Sequence, residues 1–408
     1  MSADEEPRAD AADAADAAAD PSGIDLPLVR DDLGFRLQRR LGLIPRGGLG
    51  VLRRALVFAA ICWLPIVVWA MATGRASDFR RGDSLLAHFG VHTRCLIAIP
   101  MFVIAEGVAQ KMVPPLLRYF VESGLVSDDT MPRFRALLAS VARLKNHTLP
   151  WVLIGGGVLA WTTAGAFVHQ MEDMEWPNMP GDTAGTITFG GWWFILVVRP
   201  LFSALLLAWL WRACIVLVLF YKLSRFPLAF APVHPDRVAG VGFVERLALI
   251  FSPVAFALST VAASSFAHEV MFHSVNVADI KGELIATALL VTVIFLIPFT
   301  PLIPTLGKVK REALFVYGSL VGHHGRLVHR RWILKEDVGN PDILDAPELG
   351  PVADVQTVFQ AVRSMRTVPV GKLGLIAIAA PAALPMLVVA AMQLPLQDIV
   401  AHVLKTLV

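Results

Sequence analysis

Residues 55–73 read ALVFAAICWLPIVVWAMAT, without a single Asp, Glu, Lys or Arg. As an α-helix this stretch is about 30 Å long, the thickness of the hydrocarbon core of a bilayer. Six further runs of similar character follow: His92–Val113, Leu149–Val168, Trp192–Tyr221, Leu247–Ala267, Leu284–Ile303 and Leu373–Met392. The chain is 56% apolar and 17% charged, against about half and a quarter in soluble domains. The excess lies in these runs, so an ordinary soluble core is excluded. The expected fold is all-α, a polytopic transmembrane bundle of about seven spans.

The charges between the runs predict an orientation. Arg30, Arg36, Arg39, Arg40, Arg46, Arg53 and Arg54 precede the first run. Arg118, Arg133, Arg135, Arg143 and Lys145 follow the second, and Lys222, Arg225 and Arg237 follow the fourth. Lys308, Lys310, Arg311, Arg326, Arg330, Arg331 and Lys335 follow the sixth. The loop after the third run is acidic, with Glu172, Asp173, Glu175 and Asp182. Basic loops stay on the cytoplasmic side, which places the N-terminus inside and the C-terminus outside. The formal net charge of +3 therefore reads as orientation. No basic stretch interleaved with aromatics points to nucleic acid.

Around the spans the chain divides by composition. Residues 1–23 are acidic and of low complexity, too poor in apolar surface to fold and unlike a signal peptide. Residues 24–54 alternate Arg with Leu, Ile and Phe, either as an interfacial segment or as a basic flank that fixes topology. A transmembrane region over 55–304 carries one or two short inner helices at 114–148. A cytoplasmic segment, 305–370, holds two helices around the turn-rich DVGNPDILDAPELGP. Residues 371–408 supply the last span and an amphipathic tail, Leu396–Val408. There is no internal repeat of the transporter kind. The Ala/Arg/Asp-rich composition fits a GC-rich bacterial genome and the cytoplasmic membrane.

Ionisable groups inside a bilayer are costly and usually functional or paired. Glu106 lies in the second run, either as a buried proton or cation site or paired with Lys111 or Arg118 near the inner interface. Arg199 and Arg212 lie in the fourth, and the depth of Arg212 allows an ion pair with Glu106 or snorkelling. Pro200, Pro381 and Pro385 either break helices that line a site or only kink them. Gly156, Ala160 and Ala164 form a small-residue stripe for close helix packing. Cys62, Cys95 and Cys214 stand apart from any CxxC and read as packing residues.

Five histidines gather on the outer side: His88, His92, His169, His268 and His273. With Met171, Met174, Met179 and Met271 they could offer a copper site, and alone a zinc site. The plainer reading is scattered interfacial side chains. His268-Glu-Val-Met-Phe-His273 is not a metalloprotease motif. Its histidines are i, i+5, about 140° apart on a helix, where HExxH stacks them at i, i+4.

After the fourth run comes LSRFPLAFAPVHPDRVAGVGF, residues 223–243. His234, Pro235, Asp236, Arg237, Gly240 and Gly242 make a turn-rich motif. It is neither a dinucleotide fingerprint nor a Walker loop. Asp236 can cap the next helix or pair with Arg237. Alternatively, His234 and Asp236 form a proton relay or ion gate at the inner mouth.

At this motif the chain resembles an uncharacterised family of bacterial polytopic inner-membrane proteins with an inner-face HPDRxxGxGF segment. The likeness runs from about Phe35 to the C-terminus. It is carried by FRLQRRLGLIP, by WLP at Trp63–Pro65, and by VHTRCLIAIP with Ala105 and Glu106. It continues through WLWR at Trp209–Arg212, the segment above, VRSMRTVPVGK, and LPM at Leu384–Met386. It picks out His92, Glu106, Arg212, His234, Asp236 and Arg237, and leaves out His88, His268 and His273. Arg199 departs from the pattern, which implies a small residue there. The resemblance brings no activity, substrate or cofactor, and no motif specifies a reaction.

Three functions stay open. The first is a small-solute or ion transporter or channel, with Glu106, Arg212, His234, Asp236 and Arg237 along its path. The second is a membrane scaffold or sensor that docks a partner through the cytoplasmic helices. The third is a periplasm-facing metal-handling protein using His88, His92, His169, His268 and His273. The expected surroundings are the lipid bilayer and a homo-oligomer or membrane-protein partner.

Overall fold

The computed structural model describes residues 38–39, 50–76, 84–145, 147, 152–153, 155–158, 188–338 and 350–393. Among these residues there is no strand, and 6 helices are long and apolar enough to cross a membrane. They are α1 (Val51–Ala72), α2 (Phe89–Glu122), α4 (Phe189–Ser224), α5 (Gly242–Phe272), α6 (Val277–Phe299) and α9 (Lys372–Ala391). Three more helices lie between them: α3 (Met131–Lys145), α7 (Leu302–Val328) and α8 (Gly350–Ser364). The chain is a multi-pass, all-α membrane protein.

The expected third span, Leu149–Val168, falls almost wholly outside the described residues, as do Ala160, Ala164 and the tail Leu396–Val408. Its described pieces, 152–153 and 155–158, are helical. A Cβ added at Gly157 would sit 3.7 Å from Leu207 of α4, so this glycine-bearing helix lies against α4.

Prolines shape the spans. Pro65, Pro114, Pro115, Pro253, Pro381 and Pro385 sit inside helices that continue through them. A π turn, Thr93–Ala98, leads into Pro100 in α2, and another, Phe194–Val198, leads into Pro200 in α4. A proline offers no N–H and crowds the carbonyl four residues back, and a locally widened turn relieves both faults without ending the helix. The long fourth span is thus one helix containing a π turn.

Two boundaries differ from the sequence reading. Helix α1 starts at Val51, so Arg53 and Arg54 are helical, and Arg54 is wholly buried, not an interfacial or flanking charge. The sixth span does not reach Ile303. It closes in a 3-10 turn, Ile297–Phe299, and a new helix opens at Leu302, because Pro298 and Pro301 cannot donate backbone hydrogen bonds.

α5 is the central helix, packed on α2, α6 and α9. Its Ser259 hydroxyl donates to the Ala382 carbonyl of α9. The main core joins α1, α2, α4, α5 and α6 around Trp209, Phe102, Phe251, Phe295 and Phe299. Arg54, Glu122, Ser224, Gly242, Phe299 and Lys372 mark helix ends that share the Lys- and Arg-rich loops, which we call the basic end. There α3 packs on α4, with Lys222 Nζ donating to Ser140 Oγ at 2.6 Å. The turn after α4 docks through Ala229 N to the Leu125 carbonyl at 2.9 Å.

Candidate functional site

The i, i+4 row Arg54, Phe58, Cys62, Ile66 and Ala70 is the buried stripe of α1. It lies on α2, with Cys62 and Cys95 both buried in the main core. Close approach at the basic end depends on Gly107. A Cβ there would fall 2.9 Å from Val51 Cγ2. That approach brings Arg54 to Glu106, with Nη2 donating to Oε2 at 2.5 Å. The other oxygen, Oε1, accepts from Arg212 Nη2 of α4 at 2.9 Å. All three side chains are at most 5% exposed.

Glu106 thus uses both carboxylate oxygens on guanidinium groups from two other helices. Neither Lys111 nor Arg118, the nearer cations on its own helix, forms the pair; both point outward. The centre has support around it. Arg212 Cζ lies 4.9 Å from the centre of the Trp209 ring, a cation–π contact. Trp209 Nε1 donates to the Phe102 carbonyl at 3.0 Å, one turn from Glu106. Arg54 Nε donates to Gln38 Oε1 at 2.6 Å. Two guanidinium groups and one carboxylate leave a formal charge of +1 among these side chains. A buried Arg–Glu–Arg set contributes little net stability while intact, yet losing one partner strands a charge and costs about 3–5 kcal/mol. Arg199 is buried but is not among the partners of Glu106.

The HPDR turn is a second, local centre. Asp236 Oδ1 accepts from the Val238 and Gly240 amides at 2.8 and 3.2 Å, and Oδ2 from the Gly242 amide at 2.8 Å. His234 Nδ1 lies 3.0 Å from Oδ1. Partial burial pushes this carboxyl up, but the three amides and His234 outweigh it and hold Asp236 below the usual carboxylate range. The loop wraps around one side chain. Arg237 and Ala239 take positive φ of 59°, and Gly240 takes 91°. Asp236 therefore caps the start of α5 and does not pair with the Arg237 side chain. The Arg237 carbonyl accepts the Arg366 amide at 2.6 Å, which ties the turn to the segment leading into α9. His234, Asp236 and Arg237 lie at the mouth of the basic end, apart from the Glu106–Arg212 pair, which belongs to the helix interior.

At the opposite end His88, His268 and His273 are neighbours, with ring centroids 5.1 Å apart for the first pair and 5.4 Å for the second. His88 Nδ1 donates to the Ser84 carbonyl, and His268 Nδ1 to the Ala87 carbonyl. His92 is engaged elsewhere. Its Nδ1 accepts from Trp63 Nε1 at 2.9 Å and its Nε2 donates to the Leu85 carbonyl at 3.0 Å, so the ring is neutral with no nitrogen to spare. Among the described residues no three His, Cys, Asp or Glu side chains are arranged to hold a metal ion. His169, Met171, Met174 and Met179 lie outside the described residues.

Sequence reasoning missed Arg54, which sits in a run of arginines that reads as a flank. The signal that finds it is its register: it continues the Phe58, Cys62, Ile66 row by one turn. Comparison with family models, with curated proteins and with solved structures gives no match.

Proposed function

We propose that this chain is a membrane scaffold, anchored in a bacterial inner membrane with its basic end in the cytoplasm, that docks a partner protein on the arm formed by α7 and α8. The observation that carries the reading is an apolar patch on α7 that none of the described residues covers. Phe315, Val316 and Leu320 are 80, 65 and 50% exposed. Thr305 Oγ1 donates to the Ser224 carbonyl and holds the first turn of α7 to α4. Leu306 and Val309 still pack into the main core; beyond them α7 packs on α8, where Gly318 faces Phe359. Phe315 is about 20 Å along the helix from Leu302, clear of the bundle end. Covering a Phe, Val or Leu is worth about 1.5–3 kcal/mol each, which makes this patch a strong docking surface. Arg311, Arg326 and Arg331 lie on the same helix and the turn that ends it, beside Lys308 paired with Glu312 and Arg330 paired with Glu336. The arm is therefore net positive, and an acidic, apolar partner face complements it. Glu106 supports the same reading, since both its oxygens are held by arginine.

The test is photocrosslinking in intact cells from a benzophenone residue at 315, 316 or 320, with Lys281 as the control position. A discrete heavier protein adduct at the three arm positions and none at 281 supports docking. Adducts to lipid alone, or none, overturn it. An adduct at twice the mass of the chain replaces a partner with a second copy.

One observation favours transport as a second reading. Three ionisable side chains from α1, α2 and α4 converge inside the bundle, downstream of two π turns. Such turns often mark functional helices. Under this reading Glu106→Gln abolishes ion- or proton-coupled flux in reconstituted vesicles. Unchanged flux removes Glu106 from any transport path.

A further inference from the structure

We propose that an anionic phospholipid of the bilayer binds between α6 and α9 at the basic end, its phosphate held by Arg366 and Lys372. A cavity of 490 Å³ opens there, within the ~300–1,000 Å³ usual for ligand sites. Its walls are apolar: Leu296, Phe299 and Ile303 from the α6–α7 junction, and Val368, Val370 and Leu375 from the α9 side. Val368 and Leu375 are about half exposed, so the cavity opens sideways at the level where spans meet the basic loops.

Two cations line the same cavity. The Arg366 and Lys372 side chains are exposed and form no ion pair or side-chain hydrogen bond with the described residues. The nearest carboxylate, Glu245, stands at the same rim, its Oε2 accepting the Gly371 amide at 2.6 Å. That oxygen and Arg366 Nη1 both lie within 2.5 Å of the point a Gly371 Cβ would occupy, so Glu245 offsets part of the Arg366 charge and leaves Lys372 as the uncompensated cation. The Arg366 backbone is held in place by its amide, which is bonded to the HPDR turn. A free phosphate would satisfy the cations and leave the apolar walls bare. A phospholipid fills both, chain against the walls and phosphate at the rim. Basic pockets between membrane helices on the cytoplasmic side hold anionic headgroups in this way.

The position has a consequence for the arm. The cavity is built from both of its roots, Phe299–Ile303 below α7 and Arg366–Gly371 after α8, so a bound lipid would brace the arm against the bundle. The lipid site does not depend on the scaffold reading. Crosslinking from Phe315 probes a different surface, so either can fail alone.

The experiment measures retention of phosphatidylglycerol and of phosphatidylcholine by the full chain in detergent, using native mass spectrometry. Each basic group near an anionic lipid is worth about fivefold, and with Glu245 offsetting one of the two cations wild type should prefer phosphatidylglycerol by about fivefold. The double variant R366Q/K372Q should lose that preference and keep its phosphatidylcholine binding. Val368→Trp fills the cavity, leaves both cations in place and should lower retention of both lipids. Equal binding of the two lipids by wild type overturns the site, and so does a preference that survives R366Q/K372Q. Displacement by glycerol phosphate at the same concentration as by the lipid would make it a soluble-phosphate site and overturn the lipid.

Discussion

Glu106 and Asp236 are two carboxylates satisfied by opposite means. Asp236 draws its hydrogen bonds from amides within the next six residues and from His234, two residues before it. Glu106 draws both of its charge partners from other helices, 52 and 106 residues away in sequence. Asp236 remains partly open to solvent, while Glu106 is closed off by packing. A local cap with water at hand loses little when it fails. A charge cluster in a low-dielectric interior fails at full cost, because no water replaces the missing partner.

The largest effect is therefore expected at Glu106. Glu106→Leu strands two buried guanidinium groups and should cost about 3–5 kcal/mol, seen as a large fall in melting temperature of the detergent-solubilised protein. The sharper measurement is the triple variant Arg54→Met, Glu106→Leu, Arg212→Met. An apolar replacement of the whole set is expected to recover most of that loss. If the triple variant is as unstable as Glu106→Leu, the cluster is not an isolated electrostatic unit, and the contrast with Asp236 fails.

Asp236→Ala should cost about 2 kcal/mol, the upper range for a lost helix cap. The loop keeps its strained positive φ at Arg237 and Ala239 while the acceptor that compensates for it is gone. Trypsin sensitivity at Arg237 should rise in parallel with the drop in melting temperature. A cost as large as that of Glu106→Leu would mean that the turn holds the bundle together.

The two centres also differ in how far sequence reveals them. The HPDR turn was legible because its chemistry is local: an Asp before Gly240 and Gly242 announces a capped turn. What the sequence could not reveal was the reach of the turn to Arg366, which requires α9 to fold beside α5. The spans were legible because lipid imposes length and apolarity on each of them. Which face of α1 is buried was not, since an all-apolar helix shows no amphipathic stripe. Arg54 therefore reads, with Arg53, as a flank, although only Arg54 lies on the buried row. Glu106 and Arg212 were recognisable as ionisable groups at depth, but no spacing rule reveals a third partner from another helix. The apolar patch on α7 was equally hidden, because only packing on α8 decides which of its apolar residues remain uncovered.

Gly107 tests whether helix approach assembles the Glu106 cluster. Gly107→Ala places a methyl group against Val51, whose branched side chain has little freedom to move. It should cost about 1 kcal/mol, the low end of the overpacking range. Val51→Ala in the same chain should return most of it. Additive effects in that double-mutant cycle would show that α1 and α2 are not in contact there.

The smallest effect is a slope. Asp236 titrates below its ordinary value of 3.8, so the folded state favours the carboxylate. The stability it contributes is fully present above about pH 5 and is lost as pH falls through its lowered folded value. Wild type should therefore lose melting temperature more steeply than Asp236→Asn between about pH 4.5 and 3, with the two curves parallel above pH 5. Other carboxylates contribute the same slope to both chains, so the difference isolates Asp236. Parallel curves throughout would mean that the three amides do not favour the charged form, and that the turn is held by its backbone geometry and not by the carboxylate.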